Sequence, residues 1–172
     1  MYDHKLEIER LQPKRHVREQ FQCGYPELEE YLAQRAGQDQ RRKLAVTYVL
    51  APTNSHHVVG YYTLSAYSVN IDSCPENLKR RLPRYPSIPG VLIGRLAVDT
   101  RYKGYGWGET LLMSALSKSF KYSESIGALA VFVHAKEDKA KRFYQKYGFH
   151  ELQDDPYHLF LPMKTIKKIV ET

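Results

Sequence analysis

Three features of the 172-residue sequence predict an α/β or α+β sheet protein. Two stretches rich in β-branched and aromatic residues, Leu44 to Ala51 and Val58 to Tyr67, flank the link Pro52-Thr53-Asn54-Ser55, which is a hairpin signature. The second half alternates strand-like and helix-like segments. Three glycines at alternate positions, Gly104, Gly106 and Gly108, separate one such strand from one such helix.

Taken in order, Leu6, Ile8 and Leu11 among charged residues read as a short strand. Pro26 then opens Glu27 to Ala36, with acidic residues in the first turn and Leu28, Tyr31 and Leu32 at i, i+3 and i+4, an amphipathic helix whose charges suit its dipole. The hairpin comes next. Cys74 to Pro89 carries four prolines and the basic residues Lys79, Arg80, Arg81 and Arg84, and reads as a short helix followed by an irregular loop. Val91 to Val98 returns to strand, and the glycine turn leads into a helix running to about Tyr122 with a stripe of Leu112, Ala115, Leu116 and Phe120. A strand from Ala128 to Val133, a helix from about Glu137 to Tyr147 and a last strand from Tyr157 to Leu161 complete the pattern.

Composition bounds the class. Leu, Ile, Val and Phe make up 42 of 172 residues, enough apolar material for a core, so the expectation is one folded domain over residues 1–172. No run of about 18 apolar residues occurs, and Met1 to Glu7 has neither a basic nor an apolar leader region, which points away from the membrane and toward the cytoplasm. Cys23 and Cys74 have no Cys or His at metal-ligand spacing, so both read as reduced, packed thiols and no metal is expected. The 26 basic and 19 acidic residues leave a formal charge of +7, and 14 tyrosines accompany it. Such a surface suits an anionic partner: nucleic acid, a phosphorylated cofactor, or both.

The run Arg101-Tyr102-Lys103-Gly104-Tyr105-Gly106-Trp107-Gly108-Glu109 carries the most chemistry. Backbone without Cβ atoms lets a ligand approach closely, and the free N–H groups of a helix's first turn point outward with the positive dipole end behind them. That is a phosphate cradle. Glu109 breaks the dinucleotide pattern G-x-G-x-x-G, no G-x-x-x-x-G-K-[ST] exists, and no G-x-S-x-G points to a hydrolase.

Arg101 to Gly106 has the form [QR]-x-x-G-x-[GA] and resembles the pyrophosphate loop of the GNAT superfamily of acyl-CoA N-acyltransferases. The similarity extends along the chain. Phe21-Gln22-Cys23-Gly24, Leu28 to Leu32, Val59-Gly60-Tyr61-Tyr62-Thr63-Leu64-Ser65, Gly94-Arg95-Leu96-Ala97-Val98-Asp99, Ala135-Lys136, Phe143-Tyr144, Gly148-Phe149 and Leu159 to Met163 look like the TacT/AtaT-type toxins of that superfamily. The resemblance implies a GNAT fold of the α+β class, a mixed, mostly antiparallel sheet of six to seven strands flanked by about four helices. It implies acetyl transfer from acetyl-CoA to the α-amino group of aminoacyl-tRNA, a block of translation, and a ribbon-helix-helix antitoxin as partner. Homodimers are common among similar toxins. A GNAT enzyme acting on a protein or small amine, and a non-catalytic nucleic-acid module, are the alternatives.

By the same resemblance, the pyrophosphate lies on the N–H groups of Lys103, Gly104, Tyr105, Gly106, Trp107 and Gly108, with Arg101 and Lys103 as charge partners. The pantetheine runs along Leu96, Ala97 and Val98, and the Val98 N–H polarises the thioester carbonyl. Trp107 replaces the usual small aliphatic residue of the loop, where it packs against the cofactor. Tyr144 is the implied proton donor to the leaving thiolate. Periodicity alone puts Tyr144 in a stripe with Ala140, Phe143 and Tyr147 that faces a core, so the two readings compete. Tyr147 is the fallback, Asp99 and Glu109 flank the loop, and His134, where similar toxins often carry an acidic residue, is a candidate base. For tRNA phosphates the candidates are Arg41, Arg42, Lys43, Lys79, Arg80, Arg81, Arg84, Lys136, Lys139, Lys141, Arg142 and Lys146.

Overall fold

The computed structural model describes residues 5–172, so Met1 to His4, which belong to the segment considered as a leader, lie outside the described residues. Among the described residues, seven strands form one sheet: β1 (Leu6–Arg10), β2 (Val46–Pro52), β3 (Gly60–Asn70), β4 (Ser87–Val98), β5 (Ala130–His134), β6 (His150–Glu151) and β7 (His158–Pro162). Their order is β1-β2-β3-β4-β5-β7-β6. The β1–β2, β2–β3, β5–β7 and β6–β7 pairs are antiparallel, and β4–β5 is parallel. The helices are α1 (Pro26–Glu30), α2 (Ala36–Arg41), α3 (Glu76–Lys79), α4 (Trp107–Ser125), α5 (Asp138–Lys146) and α6 (Met163–Val170). The chain divides into two compact units, one of residues up to Ser65 with Gly94–Ala115 and one of Ala66–Ile93 with Leu116–Thr172. Among the described residues, no helix is long and apolar enough to cross a membrane.

In the first unit, Leu11, Phe21, Cys23, Leu28, Tyr31, Leu32, Ala36, Val49, Val58, Tyr61 and Ala97 form one apolar cluster. The expected helix over Glu27–Ala36 is interrupted. After α1, the turn Tyr31–Arg35 widens so that the Ala36 N–H reaches the Tyr31 carbonyl, five residues back, before α2 continues to Arg41. Residues five apart on a regular α-helix diverge by about 140°, and the wider turn brings them toward one face. Tyr31, Leu32 and Ala36 are all buried as a result. The Tyr61 hydroxyl, buried in the same cluster, donates to the Leu28 carbonyl at 2.7 Å.

In the second unit, Val69, Cys74, Ile88, Ala130, Phe132, Leu152 and Phe160 pack together. Strand β4 begins at Ser87, four positions before the expected Val91, and runs through Pro89. Proline lacks a donor but keeps its acceptor, and the Pro89 carbonyl takes the Leu129 N–H at 2.9 Å. Helix α6 and the two-residue β6 lie outside the elements the pattern predicts; α6 buries Met163 and Ile166. Both cysteines are free and buried, as their spacing suggested.

Candidate active site

The first unit supplies a strand edge that continues into a turn. Register between β4 and β5 covers Gly90 to Ile93, and Gly94 to Val98 extend beyond it. The Asp99 N–H bonds the Val59 carbonyl at 2.9 Å, on the β3 side. Because successive N–H groups of a strand alternate between its two edges, the Val98 N–H is directed to the opposite edge. Leu96 and Val98 are half-buried and Ala97 is buried in the core cluster. A Cβ at Gly94 would make a tight contact, 3.0 Å, with the Thr63 hydroxyl.

Asp99 anchors the turn that leads from this edge. Its carboxylate is fully buried and accepts four bonds: the Arg101 N–H and Nε at 3.0 Å each, Arg101 Nη2 at 3.0 Å, and the Gln22 N–H at 3.2 Å. Burial favours the neutral acid, but the Arg101 guanidinium and the two backbone donors outweigh it and hold the carboxyl below its ordinary range. Lys103 Nζ donates to the Cys23 carbonyl at 2.8 Å, and the Thr100 N–H to the Gln22 carbonyl at 2.8 Å. Arg101 and Lys103, expected as charge partners of a pyrophosphate, also make bonds within the protein: Arg101 braces Asp99, which the Gln22 N–H also reaches, and Lys103 ties the turn to Cys23. Asp99, expected only to flank the loop, holds it in place.

Gly104 and Gly106 have φ of +87° and +85°, backbone that favours glycine, and a Cβ on either would meet nothing within 4 Å. Their open side is where a ligand can approach. Gly108 departs from the expectation: α4 begins at Trp107, so Gly108 is helical and contributes an N–H of the first turn. The Gly106 carbonyl accepts the Thr110 N–H at 3.1 Å, which leaves the N–H groups of Trp107, Gly108 and Glu109 without an acceptor inside the helix. Trp107 is half-buried, Tyr105 is 77% exposed, and Glu109 stands in the first turn, where its charge suits the dipole. The turn thus presents backbone donors and a positive helix end, a fit for a pyrophosphate group.

Arg95, on β4, lies with its guanidinium 3.4 Å from the centre of the Tyr31 ring, and the Tyr31 hydroxyl donates to Asp39 at 2.8 Å. Burial and that hydrogen bond push the Tyr31 phenol up to about 12. Nothing in the spacing of Tyr31 and Arg95 announces this stack.

The second unit carries Tyr144 on α5. Its ring packs edge-on against Phe143 and Phe149, and it is only 7% exposed. Helix α5 ends where Gly148, at φ +99°, turns the chain so that the Phe149 N–H reaches back to the Tyr144 carbonyl. Among the described residues, no hydrogen-bond partner takes the Tyr144 hydroxyl, and burial raises its pKa, so the phenol holds an unspent proton. Tyr147, the fallback, is the C-cap of the same helix and packs against Phe143.

His134, the last residue of β5, stacks on His158 of β7 with ring centres 4.1 Å apart and planes 10° apart. The Tyr67 hydroxyl lies 3.2 Å from His134 Nε2 and 3.0 Å from His158 Nε2, and Asp154 lies 2.9 Å from His158 Nδ1. Sequence reasoning misses Tyr67, Asp154 and His158: strands β3 and β7 bring Tyr67 and His158 to His134 over separations that no local motif records, and Asp154 comes from the loop before β7. Lys141, one of the tRNA candidates, pairs with Glu151 and covers the Tyr157 ring, whereas Arg142 on the same helix is exposed. Among the described residues, no three His, Cys, Asp or Glu side chains converge on a metal position.

A parallel β4–β5 pair whose register ends before β4 does, followed by a glycine turn onto a helix N-terminus, defines an acyl-CoA N-acyltransferase of the GNAT type. Residues 87–167 match the acetyltransferase (GNAT) domain family. A probable TacT toxin of Sinorhizobium fredii is 31% identical over 170 residues, 95% of this chain and 94% of the relative. The solved structure of AtaT complexed with acetyl-methionyl-tRNAfMet matches with TM-score 0.89 at 32% identity, over 96% of this chain and 99% of that one. A tyrosine-to-phenylalanine mutant of AtaT, bound to the C-terminus of the antitoxin AtaR and acetyl-CoA, matches with TM-score 0.82 at 29% identity, over 97% and 99%. The chain belongs to the TacT-type toxins of the GNAT acetyltransferases.

Proposed function

We propose that the protein transfers acetyl from acetyl-CoA to the α-amino group of an aminoacyl-tRNA and so blocks translation, working as one catalytic domain over residues 1–172. The observation that carries this reading is the match along nearly the whole chain to AtaT with acetyl-methionyl-tRNAfMet. The +7 charge suits a polyanionic acceptor. The relative bound to AtaR supports a protein antitoxin as partner. By family resemblance, that partner is a ribbon-helix-helix protein, the toxin is a homodimer, and both work in the cytoplasm.

Acetyl-CoA supplies the activated acyl group as a thioester. The backbone donors of Lys103 to Gly108 bind its pyrophosphate, held in shape by the Asp99–Arg101 and Lys103–Cys23 bonds. The edge formed by Leu96, Ala97 and Val98 hydrogen-bonds the pantetheine arm, and the Val98 N–H orients and polarises the carbonyl. Tyr144, kept protonated by burial, donates its proton at the departing sulfur. Arg142, Lys139, Lys146 and the exposed Arg41, Arg42 and Arg84 supply charge for the tRNA backbone.

Labelled acetyl-CoA incubated with total charged tRNA, the same tRNA after deacylation, and a panel of peptides and polyamines tests this reading. Label on charged tRNA alone is expected. Label on peptides or polyamines instead would make the protein an N-acetyltransferase of another amine, and label nowhere would leave a non-catalytic module.

A further inference from the structure

The four-residue chain Asp154–His158–Tyr67–His134 has a direction imposed by chemistry. An ionised carboxylate only accepts hydrogen bonds, so Asp154, at 2.9 Å, holds the proton of His158 on Nδ1. In the neutral His158 ring, Nε2 is then the bare nitrogen, and the Tyr67 hydroxyl, at 3.0 Å, donates to it. Having spent its proton, the Tyr67 oxygen accepts from His134 Nε2 at 3.2 Å. His134 is thereby held in its Nε2–H tautomer, which leaves the Nδ1 lone pair free. The ring that carries it is solvent-exposed, whereas His158 is 4% exposed.

Position adds a second argument. His134 terminates β5, which runs parallel to β4, and ligands of open sheets collect at the carboxyl ends of parallel strands. The three residues after it lead directly into α5, which carries Tyr144. We infer that His134 Nδ1 takes the proton from the α-ammonium group of the incoming acceptor, with Tyr67, His158 and Asp154 as positioning residues that fix its tautomer. This rests on the acetyltransferase reading above. The overall reaction of an ammonium with a thioester releases an amide, a thiol and one proton. The ammonium N–H bond breaks to His134, the freed nitrogen pair attacks the acyl carbon, and the C–S bond then breaks as the departing sulfur takes the Tyr144 proton; the second proton shed by the nitrogen on becoming an amide restores the Tyr144 phenol. The imidazolium then returns its proton to water through its exposed edge.

The surroundings keep the base neutral. Burial and the stacked His158 ring lower the affinity of His134 for a proton, and Asp155 and Asp154 oppose them more weakly. Acid therefore removes the base by protonating His134. A residue needed only for packing would show no such dependence.

The test is the pH profile of kcat/KM for acetyl transfer to charged tRNA, from initial rates between about pH 6 and 8.5, in wild type and His134→Gln. Glutamine keeps an N–H for Tyr67 but has no basic nitrogen. The wild-type profile is expected to bend below the ordinary imidazole value of about 6.5, and the variant to track the free amine, whose reference value is about 7.7–8.0. The variant should lie tenfold or more below wild type near pH 6.5, with the gap closing toward pH 8.5. Equal profiles, or a gap constant with pH, would overturn the inference while leaving the acetyltransferase reading intact. No transfer to charged tRNA by wild type would overturn both. Nitrogen NMR of histidine-labelled protein gives a readout independent of activity: His134 is expected to show a bare Nδ1, lost in Tyr67→Phe, and a protonated Nδ1 in wild type would contradict the relay.

Discussion

The two units solve different problems with different parts of the polypeptide. In the first, the groups proposed to hold the acyl donor are all main chain: the β4 edge from Gly94 to Val98, two glycines at positive φ, and the first turn of α4. Side chains there, Asp99, Arg101 and Lys103, serve to hold the backbone in place. In the second, the proposed chemistry falls to side chains, Tyr144 and His134, and the backbone only aims them. A diphosphate and an extended arm repeat the same acceptors along their length, so a row of N–H groups suits them; proton transfer needs one titratable group at one place. Affinity for the donor and rate of transfer should therefore separate by unit.

The largest effect expected is on rate. Tyr144→Phe removes the proton donor and keeps the ring, so acetyl transfer should fall about 10²–10⁴-fold while thermal unfolding stays near wild type. A variant that unfolds early would instead assign Tyr144 to the core with Phe143 and Phe149. Next comes affinity. Gly106→Val forces a β-branched residue to φ +85° and puts a side chain on the open face of the turn, at a cost of about 1–3 kcal/mol for the backbone alone. Acetyl-CoA binding, followed by calorimetry, should weaken tenfold or more.

Two substitutions act through packing and sharpen the contrast. A Cβ at Gly90 would overlap the Phe132 ring and stand 2.8 Å from the Ala130 carbonyl oxygen, and Phe132 packs against both Tyr67 and His158. Gly90→Ala should cost about 1–3 kcal/mol in urea unfolding and lower the transfer rate without weakening acetyl-CoA. Asp99→Asn gives up a charged acceptor of four bonds, about 1–3 kcal/mol, and should weaken acetyl-CoA by loosening the turn. Its pH dependence is the smallest effect. Because the folded carboxyl is held below its ordinary range, the stability it contributes is complete above the unfolded value of about 3.9 and is lost as pH falls through the folded one. The difference between wild type and Asp99→Asn in unfolding midpoint should persist from pH 7 to 5 and shrink only below about pH 4.

The same division governs what can be read from sequence. The glycine turn, the strand before it and the helix after it are contiguous, so Leu96 to Gly108 can be named from spacing and resemblance. The refinement that Gly108 is helical depends on where α4 starts, a matter of one residue. The roles of Arg101 and Lys103 need structure, because their partners Asp99 and Cys23 lie 2 and 80 positions away and only folding decides whether a cation faces a ligand or the chain itself. The widened turn at Tyr31–Arg35 leaves no mark in a pattern that fits a regular helix just as well. His134 is visible as an oddity, yet its meaning depends on Tyr67, 67 residues earlier, and on His158 and Asp154 beyond it. Periodicity identifies Tyr144 with a stripe, and the structure adds that its ring is packed while its hydroxyl proton is unspent.

The division between a backbone that binds and side chains that react is tested most directly by titrating acetyl-CoA into Gly106→Val and Tyr144→Phe and measuring transfer to charged tRNA in the same preparations. The account predicts that Gly106→Val loses affinity, and that Tyr144→Phe binds acetyl-CoA within about twofold of wild type but transfers it at least ~10²-fold more slowly. Loss of acetyl-CoA affinity in Tyr144→Phe equal to that in Gly106→Val, or undiminished transfer by Tyr144→Phe, would contradict it.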